Sequence, residues 1–143
     1  MNRSKVIAAG KIVPIQLMYL TLFGFAGVQK FLNFGGTTAH FENIFKDTFV
    51  PSLPGGMALQ VGFIAGVEVI IGLLFIISML RKEFLPGACR VWIIIGLILS
   101  SLLLIHLSIG QRLMADYSGA ANSFFYFGLT QVLIYLTCES SKE

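Results

Sequence analysis

The residue best placed to do chemistry in this chain is Glu68, because it lies inside a long apolar segment. Residues 57–80 read MALQVGFIAGVEVIIGLLFIISML, and Glu68 is the one ionisable residue among them. At about 1.5 Å per residue, an apolar helix of this length crosses a hydrocarbon core of about 30 Å. A carboxylate there costs about 2.5–3.5 kcal/mol on insertion scales, so it is expected to have a partner and to mark a functional site.

Small residues surround Glu68 on the same segment. Ala65 and Gly72 lie three residues before it and four after it, so they share its helical face. Gly62 and Gly66 form a small-xxx-small pattern on an adjoining face, where another helix can approach closely. We therefore expect Glu68 to point into a helix bundle. The alternative role is structural, with a protonated Glu68 that only joins two helices by a hydrogen bond.

The composition indicates a one-domain membrane protein. The chain has 143 residues, of which 56% are hydrophobic and 12% charged, about half the charged share of about 25% in soluble proteins. The net charge of +3 is too small and too scattered to suggest nucleic-acid binding, so nucleic acid is not an expected partner. Cys89 and Cys138 form no CxxC pair, and the HExxH, GxGxxG and P-loop patterns are missing. Because no catalytic motif is complete, the chain is not expected to be an enzyme on its own.

The apolar pattern predicts an all-α fold, a four-transmembrane-helix bundle. The spans are expected at about 12–31, 57–80, 88–109 and 120–138, with Pro14 in the first turn of the first span and a polar loop over 110–119. Between the first two spans, apolar residues recur at helical spacing in segment 37–50. That pattern predicts a short amphipathic interfacial helix, and its apolar positions are Phe41, Ile44, Phe45, Thr48 and Phe49.

The basic residues predict the orientation of the spans in the membrane. Seven of the ten fall at the two termini and between the second and third spans, namely Arg3, Lys5, Lys11, Arg81, Lys82, Arg90 and Lys142. The other three, Lys30, Lys46 and Arg112, fall on the opposite side. The positive-inside bias then places both termini in the cytoplasm, and we expect an integral protein of a bacterial inner membrane.

Depth along the spans predicts which polar groups meet. Counted at about 1.5 Å per residue from the outer face, Glu68 and Gln131 both lie about 15 Å deep. Lys30, His106 and Asn122 fall within about 5 Å of that face on the same count. We therefore expect a mid-membrane contact of Glu68 with Gln131 and a separate outer polar ring. A direct Lys30–Glu68 pair requires the second span to start later, and Lys30 otherwise resembles an interfacial snorkelling lysine.

Metal binding is not expected from the two histidines. His40 lies in the amphipathic segment and His106 near the end of a span, and no third ligand accompanies them. Hydrogen bonding within the bundle is the expected role of His106, and an interfacial position that of His40. The phenylalanines of the first span are expected to pack and to lie at the interface.

Residues 24–34, which read GFAGVQKFLNF, resemble the first-helix signature of the DoxX-like proteins. In that family a glycine-rich helix ends in a G-x-x-K motif, here Gly27 to Lys30, and a partly aromatic segment follows. A proline-containing loop and a second helix with a glutamate followed by glycine come next, here Glu68 and Gly72. The resemblance covers almost the whole chain, and it implies a small four-helix membrane protein in which Lys30 and Glu68 occupy the polar positions.

The resemblance implies an accessory subunit of a quinone-linked membrane redox system, with a bound quinone as its one expected cofactor. A second hypothesis is a non-catalytic assembly factor that binds another membrane protein, or a second copy of itself, through the Gly62 and Gly66 face. The third is a small transporter that uses Glu68. Against the third stands the lack of an inverted repeat or a pair of broken helices in the sequence.

Overall fold

The computed structural model describes residues 3–139, and the regular structure in that range is entirely helical. The first long helix is continuous through three parts, α1 (Arg3–Tyr19), a π-helical segment (Leu20–Phe25) and α2 (Ala26–Leu32). After it come α3 (Phe34–Phe45), a 3-10 turn (Val50–Ser52), α4 (Gly56–Leu80), α5 (Val91–Leu113) and α6 (Tyr117–Glu139). The predicted all-α class is therefore confirmed.

Three helical stretches among the described residues are long and apolar enough to cross a membrane. They are Val6–Leu32, Gly56–Leu80 and Val91–Leu113. Each reaches the roughly 20 residues that a hydrocarbon core of about 30 Å requires. The chain is therefore an integral membrane protein, as its composition predicts.

Several predicted boundaries differ from those of the structure. The first helix begins at Arg3, so Pro14 lies well inside the helix and the prediction that it occupies the first turn is wrong. The third long helix begins at Val91 and continues past Gly110 to Leu113, so the predicted loop over 110–119 shortens to 114–116. The loop is short because Asp116 already caps α6, its Oδ1 accepting the backbone N–H of Gly119 at 2.9 Å.

The first long helix packs antiparallel to α4 along a seam of small residues. At its centre a Cβ added to Gly72 would lie 2.8 Å from the Cα of Gly24, so the two backbones are in direct contact. One turn away, the rings of Tyr19 and Phe75 lie 5.3 Å apart between their centroids. Such small-residue contacts let membrane helices approach closely and gain van der Waals packing.

A separate layer made of residues 34–52, which contain α3 and the 3-10 turn, covers the first turns of α4. We call this layer the α3 cap. The first long helix ends at Leu32 and α3 starts after the single residue Asn33, so Gly35 and Gly36 lie inside a helix. Phe45 and Val50 of this layer pack against Met57 of α4, and a small apolar core forms there. The predicted amphipathic segment is thus a helix, although it ends at Phe45.

The opposite side of the bundle is the pair α5 and α6. The main apolar core lies between α1, α4 and α5, around Phe75, Ile93 and Leu97, and α6 packs along α5. Gln131 of α6 donates from Nε2 to the Ser101 Oγ of α5 at 2.9 Å. This bond joins α5 to α6.

Candidate functional site

Glu68 is buried on the face of α4 that packs against the first long helix. Glu68 is 3% exposed, and Ala65 and Gly72 are buried on the same face of α4. The expectation that Glu68 points into the bundle is therefore confirmed. A carboxylate in this position needs a compensating partner, because an unpaired buried charge is strongly unfavourable.

That partner is Lys30, at the end of α2. Its Nζ donates to both carboxylate oxygens of Glu68, at 2.8 Å to Oε1 and 2.7 Å to Oε2. The lysine side chain is 21% exposed and the glutamate side chain 5%. Lys30 therefore points toward Glu68. The predicted Glu68–Gln131 contact is wrong, because Gln131 is bonded to Ser101 instead.

The depth count failed because it started every span at the same level. The first turns of α4 pack against the α3 cap, through Met57 and Val61. The start of α4 therefore extends beyond the end of α2, and Lys30 is level with Glu68, three turns into α4. Gln131 cannot reach this site because α6 packs along α5 and not along α4.

Gly27 allows the close approach that the ion pair requires. A Cβ added there would come within 2.8 Å of the Cβ of Glu68 and within 2.9 Å of the backbone oxygen of Ala65. Real Cβ atoms do not make contacts this short, so any larger residue would push α2 away from α4. The G-x-x-K spacing of Gly27 and Lys30 places the gap and the cation on one helical face.

The predicted outer ring of Lys30, His106 and Asn122 does not form. The His106 ring lies edge-on to Phe63, with centroids 5.8 Å apart, and the exposed Asn122 side chain makes no hydrogen bond to any described residue. His40 stands beside Phe41. Within residues 3–139, no group of three or more histidine, cysteine or acidic side chains is placed to hold a metal ion.

His106 instead lines a groove of about 370 Å³ between the α3 cap, α4 and α5. The groove is mainly apolar, and four polar side chains line it. These are Gln60, His106, Gln111 and Asp116. Sequence reasoning missed the groove, because its walls come together only when α3 folds back against α4.

A second buried carboxylate, Glu83, was also missed. It is 2% exposed, and its oxygens accept the backbone N–H groups of Trp92 at 3.0 Å and Ile93 at 2.9 Å. Ser78 Oγ donates to the same carboxylate at 2.7 Å and accepts from Gln16 Nε2 at 2.8 Å. The sequence before α5 could have indicated an acceptor elsewhere. The N-cap residue is Arg90, and its side chain cannot accept the first N–H groups of α5.

Two further polar contacts connect α6 to the rest of the bundle. The hydroxyl of Tyr19 lies 2.6 Å from Thr130 Oγ1, and Thr130 in turn donates to the backbone carbonyl of Tyr126 at 2.7 Å. Arg90 donates from Nη1 to the backbone carbonyl of Thr137 at 3.4 Å. Buried polar groups in a membrane bundle are satisfied across helices in this way.

Comparison of the chain with family models, with curated proteins and with solved structures gives no match. The function must therefore be inferred from the residues themselves. They provide two distinct features, an ion pair in which Lys30 contacts both oxygens of Glu68 and an apolar groove with polar groups on its wall.

Proposed function

We propose that the chain is a DoxX-like accessory subunit of a membrane redox system linked to quinone. The observation that supports this proposal is the Lys30–Glu68 ion pair. These are the two polar positions in the family resemblance, and they lie 38 residues apart in the sequence. A fold shared with that family requires the two helices that carry them to be neighbours, which is how α2 and α4 are arranged.

In this proposal α6 is the fourth span and α3 lies in the membrane interface. α6 has 23 residues, as α5 does, and at about 1.5 Å per residue it is about 35 Å long. It packs along α5, so the two helices cross the bilayer together. The excess of basic residues at the termini and at the α4–α5 turn supports a cytoplasmic position for these segments, and the proposal takes the membrane to be a bacterial inner membrane.

The proposed role is accessory because the ion pair occupies the one carboxylate inside the apolar spans. Both oxygens of Glu68 contact Lys30, so this carboxylate anchors α2 to α4 and is not open to a substrate. The redox centre then belongs to a partner protein in the same membrane. Quinone is the cofactor that the two subunits share.

Native mass spectrometry of the tagged chain, released gently from its own membrane, tests this proposal. We expect the wild type to carry a redox protein and a quinone-sized adduct. Glu68→Gln should lose the complex because it removes the negative charge that holds Lys30. Glu42→Gln, at an exposed position of α3, is the matched control and should keep it. Complexes that contain neither a redox protein nor a quinone would contradict the proposal.

A second candidate function, an assembly factor, is favoured by the face of α4 that carries Gly62 and Gly66. A Cβ added to Gly66 would meet nothing within 4 Å, and one added to Gly62 would meet only the Phe34 ring at 3.8 Å. Ala65 and Gly72, by contrast, are used inside the bundle. A stoichiometric partner without a redox centre, lost in Gly66→Leu but kept in Glu42→Gln, would support this function.

A further inference from the structure

The groove beneath the α3 cap has the size and composition of a small-molecule site. Its volume is about 370 Å³, and ligand sites commonly measure about 300–1,000 Å³. Phe41, Phe45 and Phe49 form the side contributed by the cap, while Ile64 and Leu107 belong to α4 and α5. These two walls belong to long apolar helices, so this side of the groove is compatible with an apolar ligand tail.

The charges along the groove disfavour an anionic head group. No lysine or arginine lines it, and its two ionisable residues are His106 and Asp116. A phosphate or carboxylate would find no fixed cation there and would face the Asp116 carboxyl group. Opposed like charges are unfavourable and also select against the wrong ligand. An anionic head group is therefore disfavoured in this groove.

The polar groups in the groove match a head that forms hydrogen bonds. Neither the Gln60 side chain nor the His106 ring makes a hydrogen bond with another residue in the described part of the chain. Gln111 uses its Oε1 to accept from Ser123 at 2.6 Å, which leaves its amide nitrogen as a donor. An amide and an imidazole are suited to the carbonyl and hydroxyl groups of a ring.

The aromatic wall favours a flat head. The rings of Phe41 and Phe45 are stacked, with centroids 6.2 Å apart and an interplanar angle of 29°. Aromatic side chains pack favourably against other rings in offset or edge-on geometry. A planar ring can therefore lie against this wall while its substituents reach Gln60 and His106.

We propose that this groove binds a neutral amphiphile with a flat, hydrogen-bonding ring as its head and an apolar tail. The inference rests on the proposed function, because it gives the quinone-class ligand a site. That site is the groove under the α3 cap and not Glu68, which Lys30 already occupies.

Photolabelling of the full chain in lipid nanodiscs tests the site. The probe is an azido-quinone with a decyl tail, with unlabelled decylubiquinone as competitor and oleate as the anionic comparison. We expect labelled peptides from 41–64 and 106–116, competition by decylubiquinone, and none by oleate. Labelling confined to other segments, or equal competition by oleate, would overturn the proposal.

Two variants with matched controls sharpen the test. Ile64→Trp fills the groove and should abolish labelling, whereas Ile98→Trp, at an exposed position of α5, should leave it unchanged. Gln60→Ala should weaken binding about fivefold, as expected for one hydrogen bond, and Gln29→Ala outside the groove should not. Unchanged labelling in both Ile64→Trp and Gln60→Ala would overturn the proposal. Gln60→Ala is the smaller change, so it tests the site independently if Ile64→Trp folds poorly.

The outcome separates this inference from the proposed function. Groove labelling in a protein that never associates with a redox partner would leave the site in place and refute the accessory role. A redox complex that carries quinone, with labelling outside the groove, would refute only the site.

Discussion

Glu68 and Glu83 are both buried carboxylates, but the protein compensates them in different ways. Glu68 lies in the middle of α4 and is paired with a lysine from another helix. Glu83 lies in the turn before α5 and accepts two backbone N–H groups and the Ser78 hydroxyl. The first therefore depends on an opposite charge, and the second on the partial positive charge at a helix N-terminus.

The difference has consequences for packing. The ion pair requires α2 and α4 to be almost in contact, which Gly27 permits. Glu83 reaches its N–H partners through the chain itself, because the turn and α5 are adjacent in sequence. The Glu68 site is therefore sensitive to both charge and helix spacing, and the Glu83 site mainly to loss of an acceptor.

The largest effect is expected from Lys30→Met, which leaves the buried Glu68 carboxylate without its counter-charge. Removing one member of a buried pair costs about 3–5 kcal/mol in the free energy of unfolding. Reversible unfolding in mixed detergent and SDS micelles measures this loss. Lys46→Met, at an exposed position, is the control. Equal stability of the two variants would show that Glu68 does not depend on Lys30.

Gly27→Ala is expected to destabilise the same site through spacing alone. The added Cβ would collide with Glu68 and with the α4 backbone, and forcing such a group into packed structure costs about 1–3 kcal/mol. Gly66→Ala has open space and should be neutral or stabilising by about 0.5–1 kcal/mol. Thermal unfolding in one detergent compares the pair, and a matching loss in both would refute the spacing argument.

Glu83→Gln should have a smaller effect that is confined to the start of α5. The amide keeps one acceptor but loses the charge, so we expect a loss of about 1–2 kcal/mol, as for a helix cap. Hydrogen exchange at the Trp92 and Ile93 amides should speed up, while exchange around Glu68 should not change. Glu42→Gln serves as control, and uniform faster exchange throughout the bundle would contradict a local role.

The smallest effect is expected when both members of the ion pair are replaced. Lys30→Met combined with Glu68→Met removes the charges together, and buried pairs replaced by apolar residues are often close to neutral. The unfolding free energy should return to within about 1 kcal/mol of the wild type. A double variant no more stable than Lys30→Met would show that the pair contributes net stability to the fold.

The contrast between the two glutamates also explains what the sequence could predict. Glu68 is conspicuous because it interrupts an apolar segment, so its burial followed from composition alone. The pairing of Glu68 with Lys30 did not follow from composition, because the position of α2 along α4 depends on the α3 cap. Glu83 directly follows Arg81 and Lys82, so in the sequence it resembles one more surface charge of a polar turn.

Helices were predicted correctly where apolar segments were long, and their ends were not. Gly110 and Pro14 both resemble helix boundaries, yet each lies inside a helix because packing or membrane burial outweighs local preference. The groove could not be predicted at all. It is formed by residues far apart in the sequence, which folding of the α3 cap brings together.

The glycine contact at the centre of the α1–α4 seam also separates two polar clusters. Polar groups lie on both sides of it, Gln16, Ser78 and Glu83 on one side and Lys30 and Glu68 on the other. Between them the backbones of Gly24 and Gly72 touch, and buried Phe23, Ile71 and Phe75 fill the space nearby. The direct contact of the two backbones leaves no room for a water molecule between Gly24 and Gly72, so the two polar clusters stay apart along this seam.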